Sequence, residues 1–372
     1  MTTEAPRTTS FRSFIIVWVG QLVSVTGTMV IGFGLQLFVF IETGSVTQLA
    51  FVSLAYMIPS LALAPLAGSV VDRTDRRKLM LLSDATAGIA TLVLVPLYAT
   101  GSLEMWHIYI VAAIGAGANA FQDPAWMASV SVLVPKEHLA RANGLVQLNQ
   151  GIAIVLAPAI AGALLAVSGL GAVLLLDVAT FAVGVITLAM VRFPDFERHE
   201  TEHRSVRADW KYAWRYLIDR SGLLGLLLIY AVVNFMLSAT NILIIPLIVS
   251  FSTEAAAGAV LSITGIGAIV GSLLVGVFGT PKRLVPSIVA GIAVSGLFVS
   301  LQGFRESLVL ITAMSVLLML ANPIVNSASQ VIWQTKVDEG SQGRVFSLRR
   351  MLASAISPIA IFIVGPLSDS VF

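Results

Sequence analysis

The chain has 372 residues, of which 57% are hydrophobic and only 11% are Asp, Glu, Lys or Arg, and its net charge is +2. A soluble domain carries roughly 25% charged residues; with a mean hydropathy of +0.92, most of this chain must be solvated by lipid. That excludes a cytosolic enzyme, a disordered scaffold and a secreted module, gives no reason to expect nucleic acid as a partner, and the lack of any cysteine removes disulfides and thiolate metal sites.

A membrane helix needs about 20 apolar residues. Charge-poor runs of that length fall at 14–40, 49–71, 79–98, 107–134, 144–167 and 171–191, and after a polar stretch at 223–250, 255–278, 284–301, 308–331 and 351–366. They are long and apolar all round, unlike the short alternating strands of a membrane barrel. The sequence therefore predicts an all-α integral membrane protein with eleven spans. The first follows a polar start holding Arg7 and Arg12; it is too long for a signal-peptide core and is expected to remain as a span.

Positive charge sets the expected orientation. With the N-terminus inside, 21 of the 22 Lys and Arg fall in cytoplasmic segments and only Arg305 lies outside. An incorrect span count would scramble that alternation.

The polar stretch divides the chain into an N-terminal six-helix half (1–191), a cytoplasmic linker (192–222) and a C-terminal half (223–372). In the linker, Trp210, Ala213, Trp214 and Leu217 share one helical stripe, as suits a helix lying at the membrane interface. His199 and His203 read as solvated linker rather than a metal site. The halves resemble each other at an offset of about 200 residues, Asp123-Pro124 in the fourth span matching Asn322-Pro323 in the tenth, as in a parallel repeat of six spans. On that plan the last helix is missing, and the chain reads as truncated before a twelfth span.

Between the second and third spans stands Gly68-Ser69-Val70-Val71-Asp72-Arg73-Thr74-Asp75-Arg76-Arg77-Lys78. It resembles the loop motif of the major facilitator superfamily, Gly-x-x-x-Asp-Arg-x-Gly-Arg-Arg/Lys. Gly68 permits close helix packing, Asp72 can accept from a neighbouring helix N-terminus, and Arg76 and Arg77 can pair with acids or lipid headgroups. Arg73 and Lys78 complete the basic set expected to take part in conformational gating. Asp75 stands where the family usually has Gly, a departure that bears on the local turn, although Asp tolerates left-handed geometry better than most residues. Gly20-Gln21, Ser24, Gly27, Thr43-Gly44-Ser45, the Pro135-to-Asn143 segment and Gly343-Arg344 are similar to the branch containing macrolide-efflux and enterobactin-exporter-like proteins.

That resemblance implies a secondary exporter of the bacterial inner membrane, using the proton gradient and no cofactor, whose two halves rock about a central cavity lined by spans one, four, seven and ten. Asp123 is then the expected proton or substrate group, since a carboxylate is costly in hydrocarbon unless it faces a cavity or partner; its counterpart Asn322 cannot titrate. Gln21, Ser24, Thr28, Gln36, Asn234, Asn241 and Asn326 are expected to line the cavity. Asp84 is expected to pair with Arg73, Arg76 or Arg141, and Asp177 to be functional or to pair across helices. With few fixed charges in reach, the expected cargo is an amphipathic small organic molecule. No Walker loop or catalytic set is present, so neither ATP-driven pumping nor enzymatic activity is expected. The expected partners are substrate and membrane lipid, with the chain acting as a monomer. Alternatives are an uptake permease of the same fold, or a non-transporting membrane sensor or assembly protein.

Overall fold

The computed structural model describes residues 11–71, 74–191, 193, 206–338 and 341–371. These form helices and turns, with no strand among the described residues. They fall into two compact units, Met1–Glu200 and Thr201–Phe372.

The first unit holds α1 (Phe11–Thr43), α2 (Val46–Val71), α3 (Arg76–Ala99), α4 (Met105–Leu133) and α5 (Leu139–Met190). The spans expected at 144–167 and 171–191 both lie within α5 as separate helical arms, and the break between them is Gly169, with φ 69° and ψ −173°. A side chain disfavours that φ, so glycine allows the reversal. The reversal is visible against α1. Trp18 Nε1 donates to the Leu145 carbonyl at 2.8 Å and Gly34 lies by Ala161, so the first arm runs parallel to α1; Gly34, Gly27 and Gly20 then meet Val173, Thr180 and Thr187 in descending order. Glycines every seventh residue face partners every seventh residue, the spacing of a long left-handed helix seam. Cβ atoms at Gly20 and Gly27 would overlap the hydroxyls of Thr187 and Thr180. With lipid on the far side, such close backbone approach supplies much of the helix association.

Among the described residues nine helices are long and apolar enough to cross a membrane, residues 141–190 counting as one. That one is two crossings, and α4 has the length, at 29 residues, but is less apolar because it carries Asn119, Gln122 and Asp123. Counted so, all eleven expected crossings are helical.

Two apolar clusters close the ends of the first unit. One joins Phe14, Val17, Met80, Trp126 and Leu188, with the Phe14 and Trp126 rings stacked at 5.9 Å. The other joins Val30, Leu35, Leu94, Ile108 and Leu174. Between them lies a layer of polar side chains.

The second unit holds α6 (Val206–Ile218), α7 (Ser221–Val249), α8 (Glu254–Phe278), α9 (Leu284–Gln302), α10 (Leu308–Lys336) and α11 (Gln342–Val371). Gly267 and Gly271 sit against the backbone carbonyls of Val316 and Leu320, a Gly-x-x-x-Gly contact of α8 with α10. Outward faces stay apolar, Val309 being 80% and Phe278 79% exposed, which suits lipid and not water.

The interfacial helix is present as α6, but its buried stripe differs from the expected one. Ala213, Tyr216 and Leu217 pack with Trp333, Val337, Val345 and Leu348, whereas Trp210 and Trp214 are exposed. Residues i, i+3 and i+4 share a face, and the polar tip of Tyr216 finds Asp338 at 3.0 Å, which lets Tyr216 join the packed face and leaves the two indoles outside.

Candidate functional site

The loop after α2 is only partly described: Asp72 and Arg73 lie outside the described residues, and Gly68 is in the last turn of α2. Asp75 does not use the left-handed geometry open to the glycine it replaces. Its φ is −56° and ψ 114°, and its carboxylate accepts from the Lys78 backbone N–H at 3.1 Å. It is the N-cap of α3, a role glycine fills less well. Among the described residues Arg76 and Arg77 pair with no acid and bond backbone carbonyls instead. Arg76 Nη1 donates to the Ala128 carbonyl at 2.8 Å, and Arg77 donates to the Leu188 and Ala189 carbonyls at 2.9 and 2.8 Å. The last carbonyls of a helix lack internal partners and carry partial negative charge, so Arg77 closes the end of α5. Lys78 is exposed.

Asp84, expected beside an arginine, is instead the centre of a neutral network. It is 3% exposed; its Oδ1 accepts from Gln122 Nε2 at 3.1 Å and from Ser24 Oγ at 3.5 Å. Gln122 Nε2 also reaches Gln21 Oε1 at 3.2 Å. Arg76 and Arg77, about two turns of α3 from Asp84, donate to backbone carbonyls instead, Arg141 lies over the Phe11 ring, and Arg73 lies outside the described residues. Gly184 of α5 lies over the group, where a Cβ would come within 3.4 Å of Asp84 Oδ2. Asp84 Oδ2, Gln21 Nε2 and Gln122 Oε1 have no hydrogen-bond partner among the described residues. Gln21 and Ser24, expected to line a cavity, are therefore buried parts of this network.

Next to it is a cavity of about 430 Å3 inside the first unit, bounded by all five helices. Its wall is largely apolar, with Met29, Phe33, Val52 and Phe181 among its residues, and its polar points are few: Thr28, Gln36, Tyr56, Thr91, Asn119 and Asp177. Thr28 and Gln36 thus fall where a cavity is, with part of their capacity used locally: Thr28 donates to the Ser24 carbonyl at 3.1 Å and Gln36 to the Gly32 carbonyl at 3.2 Å. Asp177 is fully buried and accepts from the Thr91 hydroxyl at 2.7 Å, a pairing across α3 and α5; its Oδ1 has no partner among the described residues.

Asp123 is exposed and is not in that wall; it neighbours Tyr56, which also meets Asn119. In the second unit Asn326 donates to Asn322 at 2.6 Å, and Asn234 to the Ala353 carbonyl at 3.3 Å. Asn234 and Asn326 border a separate cavity, while Asn241 is exposed and away from it. Among the described residues no three His, Asp or Glu stand together to hold a metal.

Sequence reasoning passed over Tyr56, Thr91, Asn119 and Gln122. Asn119 and Gln122 stand four and one residues before Asp123, so a search of the whole polar half of α4 finds them. Tyr56 and Thr91 belong to the second and third spans and carry no comparable signal.

A family model described as Major Facilitator Superfamily matches residues 17–361. Macrolide efflux protein A of Streptococcus pyogenes is 28% identical over 365 residues, covering 96% of this chain and 90% of its own length. The multidrug efflux pump Tap of Mycobacterium tuberculosis is 25% identical over 344 residues, covering 88% and 80%. Among solved structures, the nucleoside transporter NupG aligns with a TM-score of 0.76 at 12% identity, covering 97% of this chain and 92% of that one. A bacterial homologue of the iron transporter ferroportin, inward-facing, aligns at 0.71 and 18% identity over 96% and 92%. Those two likenesses concern the fold.

Proposed function

The chain belongs to the Major Facilitator Superfamily, and from that premise we propose that it exports an amphipathic small organic molecule by alternating access, drawing on the proton gradient. The observation that carries this reading is the similarity, along 96% of the chain, to a protein named for macrolide efflux. The cavity of the first unit supports it. A largely apolar wall with a few hydroxyls and amides suits a cargo that is apolar over most of its surface and polar at scattered points, and it lacks the rings of charge that an ion site needs.

Energy coupling rests on three carboxylates set away from the helix ends in the first unit, Asp84, Asp123 and Asp177, of which Asp123 is the exposed one. The distribution of Lys and Arg supports a cytoplasmic N-terminus, and the bacterial relatives named for efflux support the inner (plasma) membrane of a bacterium.

Expression in a macrolide-susceptible bacterium tests the reading. Accumulation of a labelled macrolide or a cationic dye should fall several-fold, and a protonophore should restore it. Accumulation that rises on expression points to uptake and overturns export; a fall that persists with the protonophore overturns proton coupling alone.

A further inference from the structure

We propose that the second unit carries an anion pocket of its own, taking a phosphate or carboxylate joined to an apolar body. A cavity of about 380 Å3 lies between α7, α10 and α11. Arg349 and Arg350, successive on α11, border it with Gln330, Asn326 and Trp333, and none of its lining residues is Asp or Glu.

The fixed charge bordering this pocket is all positive, since Arg349 and Arg350 are its only charged lining residues. Arg349 uses Nη1 on Gln330 Oε1 at 3.0 Å, which occupies that acceptor, and its guanidinium lies 4.7 Å from the Trp333 ring centre. The amide nitrogens of Asn326 and Asn234 are held by Asn322 and the Ala353 carbonyl. The remaining N–H groups of Arg349 and the exposed Arg350 face neutral oxygens but no carboxylate in the wall. Asp338, the acid at the end of α10, is engaged by Tyr216 at 3.0 Å and Arg220 at 3.5 Å. Two neighbouring cations repel unless a counter-charge intervenes, and the planar guanidinium fork matches the paired oxygens of a phosphate or carboxylate.

Leu226, Leu227 and Phe346 make the opposite wall apolar, which asks for a hydrocarbon part in the same ligand. The pocket's depth agrees. Trp333 lines it and is packed from the other side by α6, whose exposed Trp210 and Trp214 suit the interfacial level of a bilayer. An anionic phospholipid headgroup and a free amphipathic organic anion share this chemistry. The site stands apart from the export reading, because it is read by binding and not by transport.

The test uses the full chain in dodecyl maltoside, with binding followed by native mass spectrometry and thermal stabilisation. The probes are dioleoyl phosphatidylglycerol against dioleoyl phosphatidylcholine, and octyl phosphate against octyl glucoside. The anionic member of at least one pair should bind about tenfold more tightly than its neutral or zwitterionic partner, and the preference should vanish in an Arg349→Gln, Arg350→Gln variant. Phosphatidylglycerol selected without octyl phosphate assigns a lipid headgroup; octyl phosphate selected and displacing the lipid assigns a free organic anion. No preference in either pair, or a preference that survives in the double variant, overturns the proposal. Because Arg349 also packs on Trp333, Arg350→Gln alone serves as the second arm: its side chain is exposed, and a loss below roughly threefold there equally overturns it.

Discussion

The Gln122 side-chain nitrogen stands 3.1 Å from Asp84 and 3.2 Å from Gln21, so one amide of α4 ties α3 and α1 together between the two apolar clusters of the first unit. Removing the acceptor strands the donors. Asp84→Leu should destabilise the protein by about 1–3 kcal/mol for each buried donor left unpaired, while Asp84→Asn keeps an acceptor oxygen and should cost much less. Thermal unfolding in detergent checks this, and equal midpoints for the two variants would show that the network does not hold the helices.

The α1–α5 seam is set by volume alone. At Gly27 a Cβ would overlap the Thr180 hydroxyl, and at Gly20 that of Thr187. Gly27→Val should cost roughly 1–3 kcal/mol by overpacking, or abolish folding outright. Gly27→Ala should be milder, and Thr180→Ala should recover part of its loss, because the two atoms that collide belong to those two residues. A pair whose losses simply add, measured as a double-mutant cycle of unfolding temperatures, would contradict the seam.

The spans were legible because lipid leaves the chain little choice: a backbone in hydrocarbon must satisfy its own N–H and C=O groups, so every apolar run long enough became a helix. The hairpin at Gly169 was legible as two runs, and the glycine between them supplies the positive φ at which the chain reverses. Polar partnerships were less so. Asp84 lies on α3 six residues beyond Lys78, and proximity along the chain suggested an arginine; the helix turns its carboxylate inward, towards Ser24 and Gln122, while Arg76 and Arg77 fold back on helix ends. Asp75 was judged against the glycine it replaces rather than as a cap in its own right. Which helix a side chain faces depends on rotation and neighbours, and one amphipathic repeat does not fix that in a membrane, where both faces are apolar.

Arg77 gives a prediction that separates charge from geometry. Its two bonds close the end of α5 at Leu188 and Ala189. Arg77→Gln removes the charge and most of the donors and should cost about 1–3 kcal/mol. Arg77→Lys keeps the charge but cannot reach two carbonyls in one plane, so it should fall between. A lysine variant as stable as the parent would assign the effect to the helix dipole alone.

The three spanning carboxylates should separate by what each touches. Asp123 is exposed and lies beside Tyr56, and the proposed coupling role rests on it; Asp123→Asn should abolish pH-driven efflux while leaving substrate binding in place. Asp177 lines the cavity and is held by Thr91, so Asp177→Asn should shift substrate affinity by about 3- to 10-fold and leave proton flux coupled. Asp84 is enclosed beneath Gly184, so Asp84→Asn should change stability more than either activity. Proteoliposomes with an imposed pH gradient, a substrate reporter and a lumenal pH dye read all three in one preparation. Undiminished proton-coupled transport in Asp123→Asn would remove that residue from the coupling role. If Asp84→Asn were the variant that uncoupled, the proton path would run through the buried network instead, and its amides would have to rearrange each time the proton came and went.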